Sequence, residues 1–380
     1  MEHIVIVGAS AAGSTTAQTL RREGFGGALT VIGDEPHLPY DRPPLSKQVL
    51  LGAWAPDRTS FGPSTTYAEQ GIELKLGSRA DRLDLDRRTV ELATGEQVAY
   101  DRLVVATGLR PIRLQQWHEL KGVHLLRTLD DAIELRKALV DAASVVVVGA
   151  GFLGSETAAA ARQLGCDVTL VDVAPAPMAL QLGAEVGWMI ADLHASNGVR
   201  VIGGSKVTCL HGTTAVEAVE LADGTKVKAD VVLIAVGSRP ATEWLDGSGL
   251  PCADGVLQDE APADIYAAGD VARWSSRRFG QSLRLEHRFN ATEQAVHVAR
   301  RILGNDDPFD PVPYFWTDQY DAKIQVYGVV PPDARLVVTQ GDPAARKFVA
   351  HYVSQGRLSA VLGWNMPRET RQDRALLTAI

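Results

Sequence analysis

Two glycine fingerprints stand in one chain of 380 residues, Gly8-Ala9-Ser10-Ala11-Ala12-Gly13 and Gly149-Ala150-Gly151-Phe152-Leu153-Gly154. Each directly follows an apolar run, Ile4-Val5-Ile6-Val7 or Val145-Val146-Val147-Val148, and the runs are β-branched throughout. That composition suits strands buried on both faces of a parallel sheet. Each fingerprint opens into an Ala-rich stretch that suits a helix, so strand, glycine turn and helix follow in the required order. Glycines permit the tight turn and let a pyrophosphate approach the backbone, where it meets the N–H groups and positive dipole end of the helix. One such motif is weak; two predict an α/β chain that binds two dinucleotides.

Each fingerprint is followed by a second strand that ends near an acid. The first is Leu29-Thr30-Val31-Ile32-Gly33-Asp34-Glu35 and the second Val168-Thr169-Leu170-Val171-Asp172. A carboxylate there can accept hydrogen bonds from ribose hydroxyls; the alternative is a solvated strand end. After Asp172 come Val173-Ala174-Pro175-Ala176, with no Arg or Lys to neutralise a 2′-phosphate, which favours NAD over NADP.

Composition sets the outer bounds. With 46% hydrophobic and 22% charged residues the chain has an ordinary globular balance, long enough for two or three domains. No apolar run approaches the roughly 20 residues needed to cross a bilayer, and the first strand begins almost at the N-terminus. The expectation is a cytoplasmic protein that neither spans nor anchors to a membrane. A net charge of −8 argues against a nucleic-acid binder, whose phosphate contacts need a basic face. Cys166, Cys209 and Cys252 are far apart, form no Cys-x-x-Cys pair and show no metal-ligand spacing, so no metal site is expected. None lies on the helix after the first fingerprint, which disfavours thiol redox chemistry.

Leu103-Val104-Val105-Ala106-Thr107-Gly108 and Val231-Val232-Leu233-Ile234-Ala235-Val236-Gly237 are short apolar strands ending in glycine, each followed closely by an Arg-Pro pair. They read as crossover points, with residues 109–236 inserted into a discontinuous first domain of residues 1–108 and 237–312. That domain should resume with Ile265-Tyr266-Ala267-Ala268-Gly269-Asp270. Three prolines between Asp307 and Pro313 suit a linker to a C-terminal domain of residues 313–380. Lys323–Tyr327, Arg335–Thr339 and Lys347–Val353 read as strands of its antiparallel sheet, with a closing helix.

The motifs carry a family resemblance. Leu38-Pro39-Tyr40-Asp41-Arg42-Pro43-Pro44-Leu45-Ser46-Lys47, the second fingerprint with Ser155-Glu156, Ala268-Gly269-Asp270, and Phe315-Trp316-Thr317-Asp318-Gln319-Tyr320 occur in this order. Together they resemble the FAD-dependent NADH:ferredoxin reductases of oxygenase systems, related to apoptosis-inducing factor. The resemblance runs from end to end. It implies a glutathione-reductase-like fold: two Rossmann-like domains, the NAD domain inserted into the FAD domain, plus a smaller α+β domain. One departure is Ser10, where the common fingerprint has its middle glycine. The chain also ends soon after Asn365-Met366-Pro367-Arg368, earlier than family members usually do.

The resemblance also assigns roles. Arg42 contacts FAD phosphate, and Lys47 lies beside the isoalloxazine, where a cation complements the electron density gained on reduction. Glu156 is the expected partner of Lys47, since a buried lone carboxylate is costly. Alternatively Lys47 is a surface lysine and Glu156 a helix-start acid favoured by the dipole. Asp270 holds the FAD ribityl chain, or merely caps the helix expected to follow it. Glu286, His287 and Trp316 are carried over as residues near flavin and nicotinamide, with Glu286 also a catalytic candidate. Backbone contacts to FAD are expected around Ala11, Ala12, Ala80, Ala106 and Arg110, where Arg110 could instead be a surface arginine. Gly237 completes the set for the second dinucleotide.

Arg273, Arg277, Arg278, Arg284 and Arg288 cluster after Asp270, giving local positive charge that suits an acidic ferredoxin, or a solvated loop. The reading is an enzyme that takes hydride from NADH into FAD and passes single electrons to a [2Fe-2S] or similar ferredoxin. That ferredoxin would serve a cytochrome P450 or ring-hydroxylating oxygenase. Rivals keep the cofactors but reduce oxygen, a quinone or a small radical, or use NADH to switch a flavoprotein sensor. Sequence does not choose between monomer and homodimer.

Overall fold

The computed structural model describes residues 1–378 apart from 115–116 and 118–119. Its contacts group into two compact units. The first comprises Met1–Asp41, Thr59–Arg110 and Arg239–Pro313; the second comprises Arg42–Arg58, Pro111–Ser238 and Tyr314–Ile380.

Each unit is built on a five-stranded parallel sheet, and the two repeat one plan. In the first unit the order is Ile265–Ala267, Arg102–Val105, His3–Val7, Ala28–Ile32, Glu73–Lys75. In the second it is Val123–His124, Val231–Ile234, Ser144–Val148, Asp167–Val171, Arg200–Ile202. The β-branched runs of the central strands are buried, as their sequences require: Ile4, Val5, Ile6, Val146 and Val147 are 0% exposed. Before the strand that leads to Ala106 or Ala235, each unit inserts a three-stranded antiparallel meander, Ala80–Asp84 to Ala99 or Val207–His211 to Lys228. The sequence reading did not foresee these meanders.

The C-terminal segment forms a five-stranded antiparallel sheet, ordered Tyr314–Gln319, Ala322–Gly328, Arg357–Trp364, Lys347–Ser354, Arg335–Asp342, and closes with the helix Pro367–Thr378. The three expected strands are present, joined by two others. One face of this sheet shares a core with the helix Ala179–Ser196: Leu182, Val186, Ile190 and Leu193 pack with Ile324, Phe348, Leu362 and Trp364. This common core is why the C-terminal segment belongs to the second unit.

One local expectation fails. Asp270 precedes a strand, Ala272–Ser276, and the helix begins only at Arg288. Burial alternates there, with Ala272, Trp274 and Ser276 buried between more exposed neighbours, so the period is that of a strand.

Candidate functional site

The glycine turns are superposable in their bonding. Gly8 N–H donates to Ile32 O and Gly149 N–H to Val171 O, both at 2.8 Å. Ala106 N–H donates to Val7 O and Ala235 N–H to Val148 O, both at 2.7 Å. Gly8 and Gly149 take positive φ (119° and 100°), and a Cβ on either would meet the carbonyl oxygen of Ala106 or Ala235 at 2.0 or 2.2 Å. A Cβ on Gly13 would lie 1.8 Å from Gly8 O, and one on Gly154 1.8 Å from Gly149 O. These four glycines are therefore demanded by the protein's own backbone.

Gly151 is different. Its φ is −71°, and the nearest foreign atom to an added Cβ is Gln181 Nε2 at 3.7 Å, so nothing within the protein requires a glycine. It is the N-cap of Phe152–Gln163 and supplies no side-chain cap, leaving the first-turn N–H groups around Phe152 and Leu153 for an anion. A backbone held open at a helix N-terminus fits the pyrophosphate of a dinucleotide. Ser10 occupies the same place before Ala11–Arg22, and its hydroxyl makes no cap bond either.

In the first unit the expected residues gather at the carboxyl ends of adjacent strands. Gly8 follows His3–Val7, Ala106 follows Arg102–Val105, and Gly269-Asp270 follows Ile265–Ala267. A Cβ on Gly269 would lie 3.0 Å from Ala12 Cβ, so the Asp270 turn abuts the first glycine helix beside Ala11 and Ala12. Gly269 N–H is fixed by buried Gln294 Oε1 at 3.0 Å. On the same helix, Asn290 is 2% exposed and its Nδ2 has no partner among the described residues, an orphan of the kind a bound ligand satisfies. The unit thus fits FAD, which the carboxyl edge of such a sheet receives.

Other expected residues of this unit are engaged elsewhere. Asp34 meets Arg110 at 3.5 Å, and Arg110 also meets Glu243 at 3.5 Å, an exposed network. Glu35 accepts the Tyr40 hydroxyl at 2.5 Å. Ala80 opens the meander, opposite Leu92. Glu286 pairs with Arg284 at 3.0 Å, and burial pushes the His287 imidazole down to about 4. The arginine cluster is partly neutralised: Asp254 holds Arg273 and Arg284 at 2.9 and 3.1 Å, and Asp41 holds Arg288.

In the second unit, Asp172 braces the glycine turn. Its carboxylate accepts the N–H of Ala150 and, at 2.7 Å, that of Ala174. Gly237, with φ of 106°, follows Val231–Ile234, and its carbonyl accepts Ile112 N–H at 3.0 Å.

The same unit holds Lys47 and Glu156 in a nearly buried ion pair of 2.7 Å, their side chains 13% and 8% exposed. Pro43 and Pro44 open the short 3₁₀ turn to Ser46, and Lys47 follows at its end. Glu156 lies on the first turns of Phe152–Gln163. Ser46 Oγ donates to the same carboxylate oxygen at 2.6 Å, and Thr317 Oγ1 to the other at 2.9 Å. Buried charge persists only when paired and hydrogen-bonded, and here both oxygens are occupied. Arg42 donates to Arg127 O at 2.6 Å, tying the segment to the unit. Trp316 lies on the opposite face of its strand from Thr317, stacked on Tyr314 with ring centroids 6.1 Å apart.

Sequence reasoning missed Ser46 and Thr317 as ligands of Glu156. The signal was the alternation in Phe315-Trp316-Thr317-Asp318-Gln319, which puts two polar side chains on a buried face: Thr317 and Gln319 are each 1% exposed.

Two parallel sheets with glycine turns define a two-dinucleotide oxidoreductase. The pattern of the pyridine nucleotide-disulphide oxidoreductases matches residues 2–297, and that of the reductase C-terminal domain matches residues 314–379. The chain belongs to this family, within its branch of ferredoxin reductases of oxygenase systems. It is similar to the biphenyl dioxygenase system ferredoxin–NAD(+) reductase component of Paraburkholderia xenovorans, with 37% identity over 97% of this chain and 91% of the relative. It is also similar to rhodocoxin reductase of Rhodococcus erythropolis, with 35% identity over 98% and 89%. The reductase in the covalent putidaredoxin reductase–putidaredoxin complex aligns with a TM-score of 0.95 and 32% identity, over 100% of this chain and 93% of that one.

Proposed function

We propose that the chain oxidises NADH and delivers electrons one at a time to a [2Fe-2S] or similar ferredoxin that serves a cytochrome P450 or ring-hydroxylating oxygenase. The observation that carries the cofactor half of this reading is the pair of glycine turns, above all Gly151, whose missing side chain nothing inside the protein explains. FAD is assigned to the first unit and NADH to the second. FAD, when bound, supplies the conversion of a two-electron hydride into two single electrons. The chain's residues would bind and orient the cofactors: helix N-termini would receive the pyrophosphates, Asp270 and Asn290 would hold FAD, and Asp172 shapes the turn that would take NADH. Lys47, fixed by Glu156, is the catalytic cation for flavin reduction, with Glu286 as a second candidate. Arg277 and its neighbouring arginines offer the ferredoxin a docking face. No helix among the described residues is long and apolar enough to cross a membrane, and the cytoplasm is the compartment proposed.

Anaerobic titration of the FAD-loaded protein with NADH and NADPH, followed by addition of [2Fe-2S] ferredoxins, tests the reading. Selective bleaching by NADH and rapid ferredoxin reduction are expected. A persistent long-wavelength charge-transfer band that no ferredoxin discharges would overturn the electron-delivery half in favour of a sensor. Rapid NADH consumption in air without any protein acceptor would favour an oxidase.

A further inference from the structure

Thr317 is not the end of the polar structure behind Glu156. Its hydroxyl faces Gln319 Nε2 at 3.2 Å, Gln319 Oε1 faces His194 Nε2 at 2.9 Å, and His194 Nδ1 faces the Tyr320 hydroxyl at 3.3 Å. Thr317, Gln319 and His194 are each no more than 1% exposed, so this is a polar file through the core shared by the C-terminal sheet and the helix Ala179–Ser196.

The chemistry of each group fixes the direction of the file. A carboxylate accepts only, so Thr317 spends its one proton on Glu156 and needs a donor behind it. That donor is the Gln319 amide nitrogen, an orientation that also turns the NH₂ toward Met178 Sδ at 3.5 Å. The amide oxygen then faces His194, so the proton is on Nε2 and the bare Nδ1 accepts from Tyr320. Burial supports the neutral ring, holding His194 down at about 4. Every donor in the file therefore points toward Glu156.

The backbone supplies an independent sign. Tyr320 is the first residue of a two-residue turn between the paired Gln319 and Ala322, and its φ is 54°. That left-handed conformation favours Asn or Gly and costs a bulky residue strain. The tyrosine ring instead packs edge-on against His194, with centroids 5.5 Å apart.

We propose that Gln319 and His194 are positioning residues for Glu156, the middle of a one-directional hydrogen-bond file from Tyr320 that fixes the carboxylate holding Lys47. The inference rests on the reading of Lys47–Glu156 as the pair that serves flavin reduction. The file orients and does not conduct, because a primary amide in the middle could pass a proton only by becoming its strongly disfavoured imidic-acid tautomer. Its dipoles add in one direction, which strengthens each successive bond in a dry interior.

The test uses the FAD-loaded full chain with Gln319→Met, which keeps the volume and removes the amide, and with His194→Leu, His194→Gln and Tyr320→Phe. Nitrogen-15 NMR of His194 should show the Nε2–H tautomer; an Nδ1–H ring would overturn the direction. The carbon-13 resonance of the Glu156 carboxyl, assigned by its loss in Glu156→Gln, should move in Gln319→Met and in His194→Leu. It should return toward the wild-type position in His194→Gln, whose amide can replace the Nε2 donor. A resonance unmoved in properly folded Gln319→Met or Tyr320→Phe protein would overturn the inference. In anaerobic stopped flow, Gln319→Met should slow flavin reduction by NADH roughly tenfold at unchanged half-saturation, as a misplaced charge would. If Glu156→Gln leaves that rate unchanged while the carboxyl resonance responds to Gln319→Met, the catalytic reading of the pair fails and the positioning stands. If Glu156→Gln slows reduction and Gln319→Met does not, the file has no part in the reaction.

Discussion

The two glycine turns carry the same hydrogen bonds at the same lengths, yet they differ at the middle position and at the acid that follows. The second has Gly151 and a carboxylate, Asp172, that closes on the turn's own backbone. The first has Ser10 and an acid, Asp34, that reaches sideways to Arg110 on the surface. The outer glycines answer to the fold and cannot vary. The middle position answers to what lies outside the backbone, which is why it is the one that changes between the turns.

The largest effect should come from Gly154→Ala or Gly13→Ala. Each methyl meets a backbone oxygen at 1.8 Å, which no side-chain shift relieves. Both should lose more than the ~3 kcal/mol of an ordinary damaging substitution, read as the midpoint of thermal unfolding. If only one turn collapses, their structural equivalence is wrong.

Next in size is a pH effect set by buried histidines, one in each unit. His287 and His194 are both pushed from the ordinary 6.5 to about 4 by burial. The unfolded chain then takes up protons first as acid is added. Stability is intact above pH 6.5 and falls as pH drops toward 4, by about 3 kcal/mol for His194 at the acid end. Urea unfolding of His194→Gln at pH 7 and pH 4.5 should show a smaller difference than wild type. An identical difference would remove His194 from the linkage.

Asp172→Ala should cost about 2 kcal/mol, because it strips acceptors from the Ala150 and Ala174 N–H groups. It should also raise the NADH concentration needed for half-maximal flavin reduction. Asp34→Ala, cutting only an exposed pair, should leave the unfolding midpoint where it was. Equal effects from the two acids would show that they do the same work.

The smallest stability effect belongs to Gly151→Ser, which makes the second turn resemble the first. With 3.7 Å of clearance the unfolding midpoint should not move, whereas NADH half-saturation should rise. A lowered midpoint with unchanged NADH affinity would mean that the protein, not the ligand, needs that glycine.

Much of this was legible in the sequence because it rests on short-range rules. Four β-branched residues in a row can be satisfied only inside a covered sheet, so the two central strands were readable, and Val231–Ile234 and the returning Ile265–Ala267 were readable as short apolar runs that lead into a glycine. The strand after Asp270 was not, because a Gly-Asp at a strand end suggests a helix cap until the alternating burial of Ala272 and Trp274 is seen. Thr317 lay inside a recognised motif, yet its partner Glu156 is 161 residues away.

The sequence alone determined the two glycine turns and the buried strands that lead into them, because strand burial and glycine geometry are local properties. Only the tertiary structure decided that Ser46 and Thr317 join Lys47 on Glu156, and that the C-terminal sheet shares a core with the helix carrying His194. Those contacts join residues more than 100 positions apart. Nothing in local sequence encodes a distance between them until burial forces each polar group to find a partner.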